Sequence, residues 1–173
     1  AWVAGGAVSI TCNPCSPGSY QPFTGQGACL SCSDGMYCAG QGSTAVTGSC
    51  QAGSYSSGGA SDVTCTACPI GTFQAVVGQR SCSPCTRGNF CNATGLSAVV
   101  GLCQPGSYSP SGANTSSCTS CDPGMYCAST ALGAVTGPCQ AGSFSTTGAT
   151  SVTCTPCPTG HYQDRTGQSA CIP

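Results

Sequence analysis

Apolar residues along this chain follow no helical period. No stretch carries them at positions i, i+3, i+4 and i+7, and Gly or Pro interrupts nearly every block of ten residues. Short runs at 54–57, 72–77 and 143–146 place Ser or Thr beside an aromatic residue, close to glycines, as short strands do. The pattern predicts small two-stranded ribbons and almost no helix.

The cysteines repeat at fixed spacing. The intervals between them run 3, 14, 3, 6, 12, 15, and the series then returns. Two units account for it: a short one of 17 residues, C-x-x-C-x13, and a long one of 36 residues, C-x-x-C-x5-C-x11-C-x14. Such a period indicates a tandem array, elongated because each repeat contacts only its neighbours. The predicted boundaries are the end of a truncated upstream repeat at 1–11, short repeats at 12–28, 65–81 and 154–170, long repeats at 29–64, 82–117 and 118–153, and the start of a further repeat at 171–173.

Composition gives these cysteines the role of a core. The apolar share is 39% and falls to about 28% without the 19 cysteines, too small for an ordinary hydrophobic interior. Cysteine at this density, with a single histidine, is typical of a disulfide framework made in an oxidising compartment. The predicted fold class is small and disulfide-rich: an elongated tandem array of cystine-stapled modules with short β-ribbons.

Charged side chains are scarce. The chain has three Arg, four Asp, no Lys and no Glu, and its net charge is −1. Nothing here could neutralise a run of phosphates, which excludes a nucleic-acid partner. Acid–base catalysis needs titratable groups that this sequence scarcely contains, so we expect no enzyme, no catalytic residue and no cofactor.

Eighteen cysteines are expected to form nine disulfides, and Cys12 is expected to lack a partner within these residues. The loops opened by C-x-x-G-x-[YF] resemble one another, which favours closing each within itself. An interleaved pairing, such as Cys32–Cys50 with Cys38–Cys65, stays open, because spacing alone does not decide connectivity. The favoured pairs are Cys15–Cys29, Cys32–Cys38, Cys50–Cys65, Cys68–Cys82, Cys85–Cys91, Cys103–Cys118, Cys121–Cys127, Cys139–Cys154 and Cys157–Cys171.

Other interpretations of these residues fit less well. Zinc could use the C-x-x-C pairs, but Cys38 and Cys50 would have no place in such tetrads, so no metal is expected. His161 has no repeat counterpart and is expected at the surface. Nine of the ten Tyr and Phe residues follow C-x-x-G-x; an aromatic ligand cage is one interpretation, and rings that cover disulfides are the favoured one. The preceding Gly indicates a tight bend with positive φ or a close backbone approach.

Two N-x-[ST] triplets, at Asn92 and Asn114, indicate N-glycosylation and passage through a secretory pathway. Tracts of Ser and Thr could carry further glycans or could form plain turns. Neither a signal peptide nor a membrane span is visible in these residues. The expected location is extracellular or at the cell surface.

One string recurs through the short repeats: C-x-x-C-x-x-G-x-[YF]-Q, followed by G-Q and then Cys. It stands at Cys12–Cys29, Cys65–Cys82 and Cys154–Cys171. The string resembles the ephrin-receptor-like cysteine-rich repeat, which is similar to tumour necrosis factor receptor and EGF-like modules. The resemblance covers nearly the whole chain and implies extracellular, disulfide-laddered modules found in receptors and in large surface proteins. It carries over no catalytic residue and no ligand site.

Two functions remain in view. The regular repetition and the near-absence of charge favour a structural protein, forming a rod or filament of a coat, sheath or hair by self-association or with other extracellular proteins. The alternative is the stalk or ligand-binding ectodomain of a receptor or adhesion protein.

Overall fold

The structure, a computed structural model, describes residues 13–111 and 118–173. In these ranges the backbone forms sixteen strands of two residues each and no helix, and so none that could cross a membrane. Each strand pairs with its neighbour in sequence, giving eight small sheets. The strands are β1 Ser19–Tyr20, β2 Leu30–Ser31, β3 Met36–Tyr37, β4 Gly48–Ser49, β5 Ser54–Tyr55, β6 Thr66–Ala67, β7 Thr72–Phe73, β8 Ser83–Pro84, β9 Asn89–Phe90, β10 Gly101–Leu102, β11 Ser107–Tyr108, β12 Thr119–Ser120, β13 Met125–Tyr126, β14 Gly137–Pro138, β15 Ser143–Phe144 and β16 Thr155–Pro156.

The strands belong to hairpin modules that each begin at a cysteine. Within the described residues there are nine modules, and their first cysteines lie 17 or 18 positions apart. Counting from that cysteine, position 4 is always Gly and position 6 is always Tyr or Phe. A long repeat of the sequence pattern therefore contains two hairpins and a short repeat contains one. Modules 1 to 9 begin at Cys15, Cys32, Cys50, Cys68, Cys85, Cys103, Cys121, Cys139 and Cys157.

A tight turn leads into each hairpin. In module 1 the Ser19 N–H donates to the Ser16 carbonyl at 3.1 Å, with Pro17 and Gly18 between them. Gly18 has φ +84°, the conformation that a type II turn requires at its third residue. Only glycine adopts that conformation without strain, and proline suits the residue before it. The turn leads directly into the first strand, and the loop at 21–29 brings the chain back as the second. The two short strands pair in antiparallel register, for example Tyr20 opposite Leu30.

Sulfur occupies the centre of the array. The fully buried apolar side chains in the described residues are all cysteines, each at most 1% exposed. The predicted fold class is thus confirmed: a small disulfide-rich array of tandem modules with two-stranded ribbons. The buried cysteines are Cys15, Cys32, Cys38, Cys50, Cys68, Cys85, Cys91, Cys103, Cys121, Cys127 and Cys139.

The chain divides into two compact units, Ala1–Ser83 with Ala93–Ala98 and Pro84–Asn92 with Val99–Pro173. In the first unit, the position-4 amides of modules 1 to 3 each donate to the position-7 carbonyl of the next module. Gly18 donates to Cys38 at 2.9 Å, Gly35 to Ser56 at 2.8 Å, and Gly53 to Gln74 at 2.8 Å. The bond joins consecutive modules through the backbone, whatever the side chains are.

The second unit repeats the same bond. The amides of Gly88, Gly106, Gly124 and Gly142 donate to the position-7 carbonyls of Ser109, Cys127, Ser145 and Gln163, at 2.6–2.9 Å. Further backbone bonds recur beside it, such as Ala131 N–H to the Cys103 carbonyl at 2.8 Å. Each module thus supplies donors and acceptors that the adjacent module satisfies.

Candidate functional site: the cystine array and its loops

All eighteen cysteines in the described residues form disulfides. The structure has the pairing within loops and not the interleaved one, and Cys12 lies outside the described residues. Six bonds join position 1 to a cysteine 14 or 15 residues on, and three join position 1 to position 7. The pairs are Cys15–Cys29, Cys32–Cys38, Cys50–Cys65, Cys68–Cys82, Cys85–Cys91, Cys103–Cys118, Cys121–Cys127, Cys139–Cys154 and Cys157–Cys171.

Position 7 divides the modules into three types. It is Gln in modules 1, 4 and 9, Cys in modules 2, 5 and 7, and Ser in modules 3, 6 and 8. In every module this residue is buried. Each predicted short repeat overlaps one Gln module, and each predicted long repeat overlaps a Cys module followed by a Ser module. The modules begin three residues after the predicted repeats. The members are Gln21, Cys38, Ser56, Gln74, Cys91, Ser109, Cys127, Ser145 and Gln163.

The position-7 glutamines hold their own loops closed. The Gln74 amide donates from Nε2 to the Ser81 carbonyl at 2.8 Å, and its Oε1 accepts from the Val76 N–H at 3.1 Å. Gln21 and Gln163 make the same pair of bonds. A buried amide satisfied on both sides stabilises the loop, because each unpaired polar group would keep its desolvation penalty. The sequence string that ends in [YF]-Q carries this signal, but composition alone does not predict that the Gln is buried.

Position-6 rings lie across their own hairpins. Tyr37 stands opposite Gly48 in the β3–β4 register, and a Cβ built on that glycine would lie 3.1 Å from the ring. Phe90 covers Gly101 in the same way, at 3.0 Å. The missing glycine side chain leaves the ring a flat backbone surface to cover. For these hairpins the contacts favour packing over an aromatic ligand cage.

The position-4 glycines approach the backbone of other modules closely. A Cβ on Gly35 would collide with the carbonyl of Gly78, and one on Gly124 would collide with that of Gly167. On Gly160, in the last module, a Cβ would meet nothing within 4 Å. The sequence predicts either positive φ or a close backbone approach at position 4, and these two glycines have both. The φ angles of Gly35 and Gly124 are +70° and +77°.

Two hydrogen bonds within one exposed loop act on the carboxylate of Asp62. The Asp62 carboxylate accepts from the Thr64 hydroxyl and, at 2.8 Å, from the Thr64 N–H. These bonds favour the charged form and hold the pKa of Asp62 below its ordinary value of 3.8. The arrangement is a local turn.

The remaining predicted residues lie apart from one another. His161 is exposed in module 9, Asn92 is exposed in module 5, and Asn114 lies outside the described residues. Across 13–111 and 118–173, no three His, Cys, Asp or Glu side chains gather as metal ligands would. A surface depression of about 290 Å³ between Ser145 and Thr155 is lined by hydroxyl, backbone and small apolar groups. This lining offers hydrogen bonds and no titratable group, because Cys154 is in a disulfide.

Comparison with known proteins agrees with the repeat pattern. No curated protein matches the chain. A family model described as "Tyrosine-protein kinase ephrin type A/B receptor-like" matches residues 5–50, 53–97 and 142–173, which together make up most of the sequence. The chain therefore belongs to the ephrin-receptor-like family of cysteine-rich repeats.

Proposed function

We propose that this chain is a structural extracellular repeat protein, whose disulfide-stapled modules build a rod or filament such as a cell-surface coat, sheath or hair. One observation carries the proposal: the bond from the position-4 amide to the next module's position-7 carbonyl recurs three times in the first unit and four times in the second. An array that propagates through backbone bonds can be lengthened by adding modules. Receptor-like cysteine-rich repeats are typically non-enzymatic, and we propose no enzymatic activity.

The surface supports association between copies. With seven charged side chains in 173 residues, little electrostatic repulsion opposes contact. Apolar side chains are exposed at loop tips, where Phe23 is 68% and Val76 is 57% exposed. Each lies two residues after the buried glutamine of its module, and its N–H donates to the side-chain oxygen of that glutamine. The partners that we propose are further copies of the chain or other extracellular proteins.

The repeats and the nine disulfides are consistent with an extracellular location, and we propose secretion to the cell surface. We also propose that the repeat boundaries at 12–28, 29–64, 65–81, 82–117, 118–153 and 154–170 delimit the units by which the array is lengthened. Each of these repeats is as long as one or two hairpin modules, so removing one repeat leaves the spacing pattern of the remaining cysteines unchanged.

A second candidate is the stalk or ligand-binding ectodomain of a receptor or adhesion protein. The matching family, which is described as ephrin type A/B receptor-like, favours it. In this function the modules act as a spacer, and a partner of high affinity binds one chain at a time.

Electron microscopy and sedimentation velocity of the secreted, oxidised chain distinguish the two candidates. Ordered polymers that grow with concentration support the structural function. Dispersed monomers over the whole concentration range contradict it and favour the ectodomain. Phe23→Ser should weaken assembly, since it removes the most exposed aromatic ring among the described residues. Thr24→Ser in the same loop is the matched control and should leave assembly unchanged.

A further inference from the structure

Module 5 departs from the other Cys modules at two facing positions. In modules 2 and 7, position 8 is Ala, and its N–H donates to the hydroxyl of Thr at position 16. Ala39 donates to Thr47 at 2.9 Å, and Ala128 donates to Thr136 at 3.0 Å. In module 5, position 8 is Asn92 and position 16 is a valine, which has no hydroxyl to accept this bond.

The hairpin itself is unchanged by these differences. The Val100 N–H donates to the Phe90 carbonyl at 3.1 Å, as the Thr47 N–H does to Tyr37 at 2.8 Å. Cys91, directly before Asn92, is fully buried in its disulfide with Cys85. Module 5 therefore keeps its hairpin and its disulfide. It lacks the threonine hydroxyl that accepts from the N–H of position 8 in modules 2 and 7.

The side chain at this position is also accessible. Asn92 and Thr94 are exposed and form the triplet Asn-Ala-Thr. Asn89 in the same module gives an internal contrast, because its amide nitrogen donates to the Thr86 hydroxyl at 2.9 Å and to the Arg87 carbonyl at 3.1 Å. Within 13–111 and 118–173, the Asn92 amide makes no such bond to the protein.

We propose that Asn92 is a modification site that carries an N-linked oligosaccharide. The inference rests on the secretory location in the proposed function. The Asn92 amide nitrogen attacks the anomeric carbon of a polyprenyl-pyrophosphate-linked oligosaccharide in the host's transferase and loses one proton. A carbon–nitrogen bond forms, and the bond from that carbon to the pyrophosphate oxygen breaks. The polyprenyl pyrophosphate leaves with its electron pair, so no oxidant or reductant is needed.

A glycan rooted here would project from a fixed point. It would stand one residue from a buried cystine, so its base would move little relative to module 5. A large hydrated group would also solubilise a face of a chain that has almost no charge.

The test is peptide mapping of the full chain secreted from a eukaryotic host, in an Asn114→Gln background. Release by peptide N-glycosidase in ¹⁸O water should convert Asn92 to labelled Asp and leave Asn89 unchanged. Thr94→Ala should abolish the label, and Thr94→Ser should retain it.

Secreted, disulfide-bonded chain with unmodified Asn92 would overturn the inference and leave the structural function standing. A chain that is not exported with its disulfides would overturn the proposed location, and the inference with it. Filament assembly is scored separately by electron microscopy, so the two failures are distinguishable.

Discussion

Replacing Gly35 by Ala tests whether close contact between modules limits this fold. Gly35 has φ +70°, its N–H donates to Ser56, and its carbonyl accepts from the Cys50 N–H at 2.8 Å. An added Cβ would overlap the Gly78 carbonyl and lie 3.1 Å from the Gln79 nitrogen. Those atoms are backbone, so they cannot turn away as a flexible side chain would. The same two residues are also held by other bonds, from the Gly78 N–H to the Cys50 carbonyl at 2.9 Å and from the Ser56 N–H to the Gln79 carbonyl at 3.1 Å.

Two costs add at this site. A left-handed conformation costs an L-residue about 1–2 kcal/mol, and the loss of unfolded-chain entropy offsets about 0.4–1 kcal/mol of that. Overpacking against fixed neighbours costs about 1–3 kcal/mol more. Gly160→Ala carries only the first cost, because Gly160 has φ +84° and no atom lies near its Cβ position. The two variants should differ by about 2 kcal/mol, near a 30-fold change in an equilibrium constant.

Native-state hydrogen exchange with the disulfides intact measures this difference. In Gly35→Ala, the amides of residue 35 and of Cys50 should exchange on the order of 100-fold faster than in the parent, because both costs apply there. In Gly160→Ala, the acceleration at the last module should stay within a few fold. Equal acceleration in both variants would refute the reasoning, since backbone conformation alone would then explain the effect. Unchanged exchange in Gly35→Ala would refute the close contact itself.

Further predictions concern bonds inside single modules. Gln74→Ala should cost about 1–3 kcal/mol in local unfolding measured by exchange, because its buried amide makes two hydrogen bonds. Gln79→Ala should cost less than about 0.5 kcal/mol, because this half-buried side chain makes one solvent-exposed bond, to the Val77 carbonyl at 3.4 Å. Ala131 has φ +58°, so Ala131→Gly should gain up to about 1 kcal/mol in the same assay, and any loss would contradict this. The pKa of the Asp62 carboxyl, measured by NMR, should lie below 3.8, and Thr64→Val should raise it by removing the hydroxyl bond. The charged carboxylate stabilises the folded state slightly. This contribution is complete above the unfolded-state pKa and is lost as the pH falls through the folded-state pKa. Limited reduction with differential alkylation should label the three C-x5-C disulfides last, because their cysteines are at most 1% exposed, and early labelling there would show that burial does not protect them.

Cysteine spacing predicted the fold class because sulfur is nearly the whole interior. In the part of the chain that the structure describes, every fully buried apolar side chain is Cys, so little of the interior depends on side-chain packing that a sequence does not show. The positive φ at position 4 was equally readable, since Gly is the residue that a type II turn selects. These features are local or covalent, and local pattern is what a single sequence contains.

The finer period was hidden by the disulfides themselves. Cys32–Cys38 closes over 6 residues and Cys50–Cys65 over 15, so counting cysteine intervals merges their two hairpins into one long unit. Counting from the glycine or the ring would have separated them, because those residues mark each hairpin once. The contact between Gly35 and Gly78 could not be predicted, because it depends on how one module stacks on another.

Position 7 explains how unlike modules join without a mismatch. Its side chain works inward and differs in each type: Cys38 bonds to sulfur, Gln74 holds its loop, and the Ser56 hydroxyl accepts from the Gly58 N–H at 3.1 Å. Its backbone groups bond to the neighbouring modules in all three types: the carbonyl accepts from the preceding module, and the N–H donates to the following one. Because the bonds that recur between consecutive modules join backbone groups, the order of types is free to vary, as it does where two Cys–Ser pairs follow each other at 85–156. The side chains determine how each loop closes, and the shared backbone determines that any closed loop fits the next.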